Sequence, residues 1–299
     1  MIGKIIKSQK EIYYVLTEEK TFMCKARGVF RNKNIKPLVG DNVEFDVTED
    51  SKGYITKILE RKNQIKRPNI ANIDQILYFI TIKNPSLNLF NIDKYLSMCE
   101  YINIDVIIIV SKKDLADKKE LDFLRMYEKI GYKLIFIDNY NDFPKKEILE
   151  ILRGKTSAVS GSSGVGKSTF LSNLVENEIE IGSISEKSKR GKNTTRHIEI
   201  FNLEKNTNIF DTPGFDSFDI DFIDDEKELK YCFREFDNNS CKFKDCNHIN
   251  EPKCKVKEDL SKNMIEKTRY ENYITLFEEI KKGDKHGRII TISFISKLC

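Results

Sequence analysis

A glycine-rich octapeptide constrains the fold of this chain more than any other part of its sequence. Residues 161–168 read Gly-Ser-Ser-Gly-Val-Gly-Lys-Ser and match the pattern G-x-x-x-x-G-K-[ST]. A short strand-like run, Thr156–Val159, precedes the octapeptide, and a helix-like run, Lys167–Val175, begins at its lysine. Glycines let a backbone wrap closely around a phosphate, and converging N–H groups at a helix N-terminus favour an anion. The octapeptide therefore predicts a nucleotide-binding loop in an α/β fold.

The polar residues of this loop have distinct predicted roles. The Lys167 ammonium is expected to reach the β- and γ-phosphates and to act in catalysis. The Ser168 hydroxyl is expected to bind Mg²⁺. The residues predicted to contact the nucleotide here are Gly161, Ser162, Ser163, Gly164, Val165, Gly166, Lys167, Ser168 and Thr169.

A second phosphate-side element is Asp211-Thr212-Pro213-Gly214, which follows the strand-like run Asn208–Phe210. The Asp211 carboxylate can hold Mg²⁺ directly or through water. The Gly214 N–H can sense a γ-phosphate, which would make the loop after it a switch. Asp211 is therefore predicted to bind magnesium and nucleotide, and Gly214 to act in catalysis.

The polar stretch Arg190–Arg196 lies between these two elements, where a nucleotide-dependent loop should contain a threonine. One threonine hydroxyl would complete the Mg²⁺ shell when a triphosphate is bound. Thr194 and Thr195 are both candidates for this catalytic role, and the sequence does not choose between them.

The tetrapeptide Ser111-Lys112-Lys113-Asp114 is a candidate for base recognition. It directly follows the buried-strand run Asp105–Val110, and α/β sheets bind ligands at the carboxyl ends of their strands. The Asp114 carboxylate can accept from guanine N1–H and from the 2-amino group, a pair that adenine does not offer. The stem of Lys112 can pack on the base plane. All four residues are therefore predicted to bind the guanine end of a nucleotide.

The order of these elements is unusual, because Asp114 precedes Lys167 and Lys167 precedes Asp211. In ordinary GTPases the base-reading motif follows the phosphate motifs. The order here indicates a circular permutation of the same sheet, which preserves the core because domain termini often lie close together. The chain after Asp211 then leads directly into the C-terminal segment.

The chain divides into three regions of different pattern. Residues 1–66 contain five short strand-like runs, which favour a barrel of the oligonucleotide/oligosaccharide-binding (OB) type, although an SH3-like barrel fits nearly as well. Residues 61–68 are basic, end in a proline and are predicted to be a linker. Residues 67–217 alternate apolar and helix-like runs, which is typical of a parallel sheet covered by helices. Residues 218–299 are acidic and predicted to be mostly helical.

The middle region can be divided further. The predicted strands are 75–82, 105–110, 133–138, 156–159 and 208–210, and the predicted helices are 91–102, 115–130, 143–152 and 167–175.

A cluster of cysteines and one histidine predicts a metal site in the C-terminal region. Cys241, Cys246, His248 and Cys254 form the pattern C-x4-C-x-H-x5-C. Three thiolates and one imidazole are a suitable tetrahedral set for Zn²⁺, and a set of four leaves no open position for catalysis. The sequence therefore predicts one structural zinc that helps this segment to fold.

Composition excludes several classes of protein. The 19 Phe and 12 Tyr require burial, which excludes a chain that is disordered over its whole length. The apolar runs are too short for a membrane helix, and the polar N-terminus lacks the apolar stretch of a secretory signal, so a cytosolic protein with reduced cysteines is expected. The net charge is only +4, with a basic excess in the first 66 residues. That excess is a modest indication of a polyanionic partner, and an ordinary solvated surface explains it about as well.

Together these features resemble the circularly permuted bacterial GTPases of the RsgA (YjeQ) family, which act in late maturation of the small ribosomal subunit. The matching segments are Arg67-Pro68, Ala71–Asp74, Asp93–Leu96, Ser111–Leu115, Gly161–Thr169, Gly191–His197, Asp211–Phe215, the Cys/His set and Arg269–Tyr273. The resemblance implies an OB-type barrel, a permuted GTPase domain and a C-terminal zinc domain. It also implies GTP hydrolysis stimulated by the 30S subunit, binding of 16S rRNA, and use of GTP, Mg²⁺ and Zn²⁺ by a protein that we expect to be monomeric.

The chain departs from the family pattern at two positions, and a third residue differs from what many other GTPases have. Ser111 stands where an Asn is usual, and Asn193 stands where the family commonly has His, so no catalytic His is assigned in that loop. Phe215 follows the Asp211–Gly214 element, where many GTPases place a water-orienting Gln. A phenyl ring cannot orient water by hydrogen bonding, so slow intrinsic hydrolysis is expected.

Two other functions compete with this interpretation. The chain could be an RNA-binding assembly factor whose nucleotide site is regulatory or inactive, or a P-loop enzyme that uses ATP. Candidate phosphate-contacting residues in the barrel are Lys25, Arg27, Arg31 and Lys33, and a solvent-exposed role is equally plausible for each. The apolar tail Ile289–Leu298 has no assigned role.

Overall fold

The chain forms two compact units. The computed structural model describes residues 1–28, 30, 35–49, 51–66, 69–175, 199–204, 207–211, 223 and 225–285. The first unit comprises residues 1–87 and 104–217, and the second comprises residues 88–103 and 218–299. Among the described residues, no helix combines the length and apolar character needed to cross a bilayer. The tail Ile289–Leu298 lies outside the described residues.

The N-terminal strands close into the predicted barrel. The strands are β1 (Ile2–Gln9), β2 (Ile12–Leu16), β3 (Thr21–Ala26), β4 (Asn42–Glu49) and β5 (Lys52–Ile58). They are hydrogen-bonded in the order β1-β2-β3-β5-β4, and β4 pairs back onto β1. Side chains along each strand alternate between the inside and the outside of the barrel. In β3, Phe22 and Cys24 are buried while Met23 is exposed. Phe22 packs on Phe45 with ring centroids 5.1 Å apart. The barrel is of the OB type.

Part of the segment predicted to be a linker is regular structure. Strands β6 (Gln64–Lys66) and β7 (Asn69–Ala71) pair antiparallel as a small two-stranded sheet. Just before it, the Arg61 guanidinium donates to both carboxylate oxygens of the fully buried Asp41, at 2.7 and 2.8 Å. The Asn72 amide joins Lys62 N to the Gly40 carbonyl oxygen. Arg61, a basic residue of the predicted linker, therefore neutralises a buried carboxylate of the barrel.

The nucleotide-binding region is built on a mainly parallel sheet. Its strands are β8 (Gln75–Ile80), β9 (Asp105–Val110), β10 (Lys133–Phe136), β11 (Thr156–Gly161), β12 (Glu199–Glu204) and β13 (Thr207–Asp211). They lie in the order β10-β9-β8-β11-β13-β12, and only β12 runs antiparallel to its neighbour. Strand β12 was not predicted. It also pairs with β1, Lys7 opposite Glu199, so the barrel and this sheet are continuous.

Helices cover this sheet, and one predicted helix is divided. Helix α1 (Leu89–Tyr101) belongs to the second unit, and the helices of this region are α2 (Lys118–Leu124), α3 (Met126–Lys129), α4 (Lys145–Leu152) and α5 (Lys167–Val175). The single helix predicted over 115–130 is α2 and α3: Asp117 caps the start of α2 with Glu120 in a reciprocal capping box, and the two helices are separated at Arg125. The core beneath includes Phe79 and Phe170, whose ring centroids lie 4.8 Å apart.

The second unit is mostly helical, as predicted. A 3₁₀ helix (Glu226–Cys232), α6 (Lys255–Ser261) and α7 (Lys267–Lys285) pack with α1 around an aromatic core. The buried Arg269 of α7 forms ion pairs with Asp93 of α1 and with Glu235. Helix α1 follows β8 in sequence but belongs to this unit, and removing either partner of such a buried pair costs about 3–5 kcal/mol.

Candidate nucleotide site and metal centre

The predicted phosphate and base segments meet at one edge of the parallel sheet. Strands β8, β9, β10, β11 and β13 run parallel, so their carboxyl ends lie at the same edge. The base tetrapeptide follows β9, the glycine-rich loop follows β11, and Asp211 ends β13. This edge is where ligands bind in open α/β sheets.

The glycine-rich loop requires its glycines for two different reasons. Gly161, Gly164 and Gly166 have φ angles of +134°, +80° and +94°, which only glycine adopts without strain. A Cβ on Gly161 would lie 2.3 Å from the Phe79 carbonyl oxygen, and one on Gly166 would lie 2.8 Å from Asn139 Nδ2. Any side chain at these positions would therefore strain or displace the loop that is predicted to hold phosphates.

The predicted phosphate-binding side chains surround the start of α5. Lys167 Nζ donates to the carbonyl oxygens of Gly161 and Ser162, each at 2.6 Å, which holds the ammonium over the loop. Ser168 is exposed in the first turn of α5, followed by Thr169. Ser162, Ser163 and Gly164 are also exposed, while Val165 is buried beneath the loop.

The base segment is tied directly to the glycine-rich loop. Ser111 is buried, and its Oγ donates to the Val165 carbonyl oxygen at 2.6 Å. Lys112 has a left-handed backbone, and its Nζ donates to the Asn84 carbonyl oxygen at 2.6 Å. The Asp114 carboxylate is exposed and has no hydrogen-bond partner within the described part of the chain, so it can receive a ligand donor. Lys113 forms an ion pair with Asp142.

The loop after β10 also reaches the phosphate loop, which the sequence did not predict. The Asp138 carboxylate accepts from Asn141 Nδ2 at 2.7 Å and from Tyr140 N at 2.9 Å, and these hydrogen bonds lower the pKa of Asp138. In this tight turn, Asn139 Nδ2 donates to the Gly166 carbonyl oxygen at 3.2 Å. The one signal that could have identified Asn139 is its position just beyond the carboxyl end of a parallel strand.

Several predicted site residues lie beyond what the structure describes. Thr194, Thr195 and Gly214, together with Asn193 and Phe215, fall outside the described residues. Asp211 is the last residue of β13, and only its backbone position is described.

The four predicted metal ligands converge. His248 Nδ1 lies 3.5 Å from the sulfur atoms of Cys241 and Cys246 and 3.3 Å from that of Cys254. The sulfur atoms of Cys241 and Cys254 are 4.0 Å apart. A tetrahedral zinc with ordinary bond lengths requires S···N separations of about 3.5 Å and S···S separations of about 3.8 Å. The donor set and its spacing therefore fit Zn²⁺.

Outer contacts orient the histidine of this cluster. Asn238 Nδ2 donates to the carbonyl oxygens of Lys230 and Phe236, so its Oδ1 accepts from His248 Nε2 at 2.7 Å. This hydrogen bond leaves His248 Nδ1 facing the thiols, as a metal ligand needs. Burial, with the nearby Lys230 charge, lowers the pKa of His248 to about 4, which keeps the imidazole neutral. Asn238 was not predicted, because a single asparagine carries no recognisable pattern.

Neighbouring groups hold the rest of the metal loop. Burial raises the pKa of the Cys246 thiol, and the backbone N–H of Lys255 points at Cys241 Sγ from 3.3 Å. The hydroxyls of Tyr270 and Tyr273 donate to the carbonyl oxygens of His248 and Asn247, each at 2.7 Å. The ligands are thus fastened to the helical core of the second unit.

A glycine-rich phosphate loop on a parallel sheet, joined to a base segment that is encoded ahead of it, defines a circularly permuted P-loop GTPase. Here that fold carries an OB-type barrel at its N-terminus. Two family models match the chain: "RsgA GTPase" over residues 58–221 and "RsgA N-terminal domain" over residues 2–55. The chain belongs to the RsgA GTPase family.

Individual relatives agree with this assignment. The small ribosomal subunit biogenesis GTPase RsgA of Clostridium perfringens (strain 13 / Type A) is 43% identical over 94% of this chain and 98% of the relative. The crystal structure of YloQ, a circularly permuted GTPase, matches with a TM-score of 0.78 at 34% identity, covering 94% of this chain and 95% of that one. The crystal structure of YjeQ from Thermotoga maritima matches with a TM-score of 0.79 at 32% identity, covering 94% and 98%. The protein is therefore a GTPase.

Proposed function

We propose that this protein hydrolyses GTP to GDP and phosphate on the small ribosomal subunit and assists its late maturation. The observation that carries the proposal is the 2.6 Å hydrogen bond from Ser111 Oγ to the Val165 carbonyl oxygen, which joins the base segment to the phosphate loop. One nucleotide can then contact both segments. The relatives named small ribosomal subunit biogenesis GTPase support the 30S subunit as partner. We also propose that the protein acts in the cytoplasm.

Each part of the site would act on a different part of GTP. The backbone of residues 161–169 binds the phosphates, Lys167 balances their charge, and Asp114 receives the two guanine donors. Ser168 and Asp211 would hold Mg²⁺, which neutralises charge on the β- and γ-phosphates. Gly214 and one of Thr194 and Thr195 would respond to the γ-phosphate.

Phosphate release measured with and without purified 30S subunits tests this function. Isolated protein is expected to release phosphate slowly, because Phe215 offers no group that orients water. Subunits that order the site are expected to raise the rate by at least about 10-fold, since one added transition-state contact is worth about that much or more. The Lys167→Ala protein, which keeps the barrel and second unit, should show no stimulation.

Two results would contradict the proposal. Fast turnover by the isolated protein would remove the need for the ribosome. No release in either condition, from zinc-loaded and folded protein, would favour the assembly factor with a regulatory or inactive nucleotide site.

We propose that the barrel binds 16S rRNA through the outward faces of β2, β3 and β5. Lys25 pairs across the sheet with Tyr54, and Met23 pairs with Lys52, so these four side chains share one face. Tyr54 is 43% exposed and Met23 is 42% exposed. Aromatic rings that stack on bases, interleaved with cations that contact phosphates, are typical of surfaces that bind single-stranded nucleic acid. Beside this patch, Lys7 lies over the Tyr14 ring, with its Nζ 5.9 Å from the centroid.

The structure distinguishes among the four basic residues of the barrel that the sequence suggested for RNA contact. Arg27 donates to the Asp46 carboxylate at 2.7 Å, which partly neutralises it. Arg31 and Lys33 lie outside the described residues. Lys25 and its cross-strand neighbour Tyr54 are therefore the pair that we choose for mutation.

The Lys25→Ala/Tyr54→Ala protein is expected to bind 30S subunits about 10-fold or more weakly, because stacking of one base contributes about 1–3 kcal/mol. Affinity can be measured by sedimentation at two salt concentrations, since a lost phosphate contact also reduces the salt dependence. Lys57→Ala is a matched control: Lys57 is an exposed lysine of the same strand, paired with Glu44 at 3.3 Å. Equal affinities of the double variant and this control would exclude the proposed face.

We also propose that Cys241, Cys246, His248 and Cys254 hold one structural Zn²⁺. When bound, the metal would link the loop that carries these ligands to the start of α6. We further propose that the protein acts as a monomer, which light scattering can check.

A further inference from the structure

Two consecutive carbonyl groups of the phosphate loop are held by side chains from the base side of the site. Ser111, after β9, donates to the Val165 oxygen at 2.6 Å. Asn139, after β10, donates to the Gly166 oxygen at 3.2 Å. The Gly166 oxygen also accepts the helical hydrogen bond from Phe170 N at 3.0 Å, so Asn139 adds a second donor to it.

Fixing these carbonyls fixes the direction of two amides. A trans peptide is planar, with its C=O and N–H pointing in opposite directions. Holding the Val165 oxygen therefore orients the Gly166 N–H, and holding the Gly166 oxygen orients the Lys167 N–H. Both N–H groups belong to the segment that cradles phosphates in this loop type. We propose that Asn139 is a positioning residue that, with Ser111, presets these two amides for phosphate binding and so couples guanine recognition to it.

The surroundings of Asn139 leave its amide one productive orientation. The turn is fixed by reciprocal backbone hydrogen bonds between Asp138 and Asp142, each 3.1 Å long. Asn173 Nδ2 of α5 donates to the Asn139 carbonyl oxygen at 2.7 Å. Rotating the amide by 180° would place oxygen against the Gly166 oxygen, so Nδ2 must face it. Asn139 Oδ1 is buried, and no donor among the described residues reaches it. The amide therefore makes the hydrogen bond to the Gly166 oxygen even though its own buried oxygen is left without a donor among the described residues.

The same turn is connected to the base segment. Lys113 N donates to the Ile137 carbonyl oxygen at 3.2 Å, and Lys113 pairs with Asp142. Asp114, the proposed guanine acceptor, is the next residue. A guanine base that orders Asp114 therefore also orders the turn that positions Asn139. Through the hydrogen bond from Asn139 to the Gly166 oxygen, this order reaches the amides of the phosphate loop. This inference rests on the nucleotide site proposed above.

Binding of GDP and GMP to the full chain, measured by calorimetry, tests the role of Asn139. Asn139→Ala is expected to weaken GDP binding by about 2- to 10-fold, the equivalent of one neutral hydrogen bond. Asn139→Asp keeps the size but replaces the donor with a charged acceptor, and we expect it to bind GDP more weakly than Asn139→Ala. GMP, with fewer phosphates in the loop, is expected to lose less affinity than GDP in both variants. Tyr140→Ala, an adjacent residue that is 85% exposed, is the control and should bind GDP like wild type.

Specific results would overturn the inference. Equal losses for GMP and GDP would show that Asn139 acts on the base or on the general fold. Wild-type affinity in Asn139→Asp would show that its donor is not used. Binding of GDP by the wild-type protein tests the nucleotide site itself, so failure of that site is distinguishable from failure of the Asn139 role.

Discussion

Replacing Asp114 with asparagine is expected to weaken GTP binding by about 100-fold or more. The carboxylate would accept two hydrogen bonds from guanine, and hydrogen bonds to a charged group contribute about 1.5–3 kcal/mol each. Xanthine carries an oxygen where guanine carries the 2-amino group, so the new amide can donate to it. Xanthosine triphosphate should therefore bind the variant better than GTP does. Competition binding with GTP, ATP and xanthosine triphosphate measures these preferences.

Asp117→Asn is the matched control for this experiment. It makes the same chemical change three residues further on, at a helix cap where Asn and Asp are about equally favourable. This control should keep wild-type preference for GTP over ATP. If Asp114→Asn still prefers GTP to xanthosine triphosphate, or if wild type binds ATP as well as GTP, the assigned base segment is wrong.

Loss of one proposed zinc ligand is expected to unfold the metal loop of the second unit. Structural zinc in finger peptides contributes about 10–16 kcal/mol of apparent binding free energy, which far exceeds the stability of a short loop. The Cys246→Ser protein should therefore retain little zinc after dialysis, where wild type should retain about one ion per chain. Elemental analysis measures the zinc, and circular dichroism with limited proteolysis reports the loss of structure.

Cys232→Ser is the control for the zinc experiment. Cys232 is a buried cysteine of the same unit whose Sγ contacts the Glu228 carbonyl oxygen at 3.7 Å, outside the ligand cluster. This variant should keep its zinc even if it is less stable. Zinc retained by Cys246→Ser, or lost from Cys232→Ser, would contradict the proposed ligand set.

Strands and helices were predicted best where the apolar residues of a segment form a clear pattern. The run Asp105–Val110 is a strand with the predicted bounds, and Lys167–Val175 is a helix with the predicted bounds. The predicted helix 115–130 differs in two places: Asp117 caps α2, which begins only at Lys118, and the helix is interrupted at Arg125. Strand β12 was missed because Glu199–Glu204 mixes charged and apolar residues, and its pairing with β13 and β1 decides its conformation.

Some residues of the candidate site could likewise be predicted from the sequence and others could not. The glycine-rich loop and the Cys/His set were predicted because their chemistry depends on residue types at short, fixed spacings. Asn139 and Asn238 were not predicted, since each acts through one hydrogen bond to a group that is distant in sequence. Ser111 was predicted as a base contact. The structure adds its hydrogen bond to the phosphate loop.

The sequence alone identified the candidate chemistry of this protein: a phosphate loop, a predicted guanine segment encoded before it and a predicted four-ligand metal set, each contained in a short stretch of the chain. Only the tertiary structure decided how these parts act on one another. Ser111 contacts Val165 across 54 residues, Asn139 contacts Gly166 across 27, and α1 packs with the C-terminal unit. Such contacts depend on strand order and on single polar groups, and neither leaves a periodic pattern in the sequence.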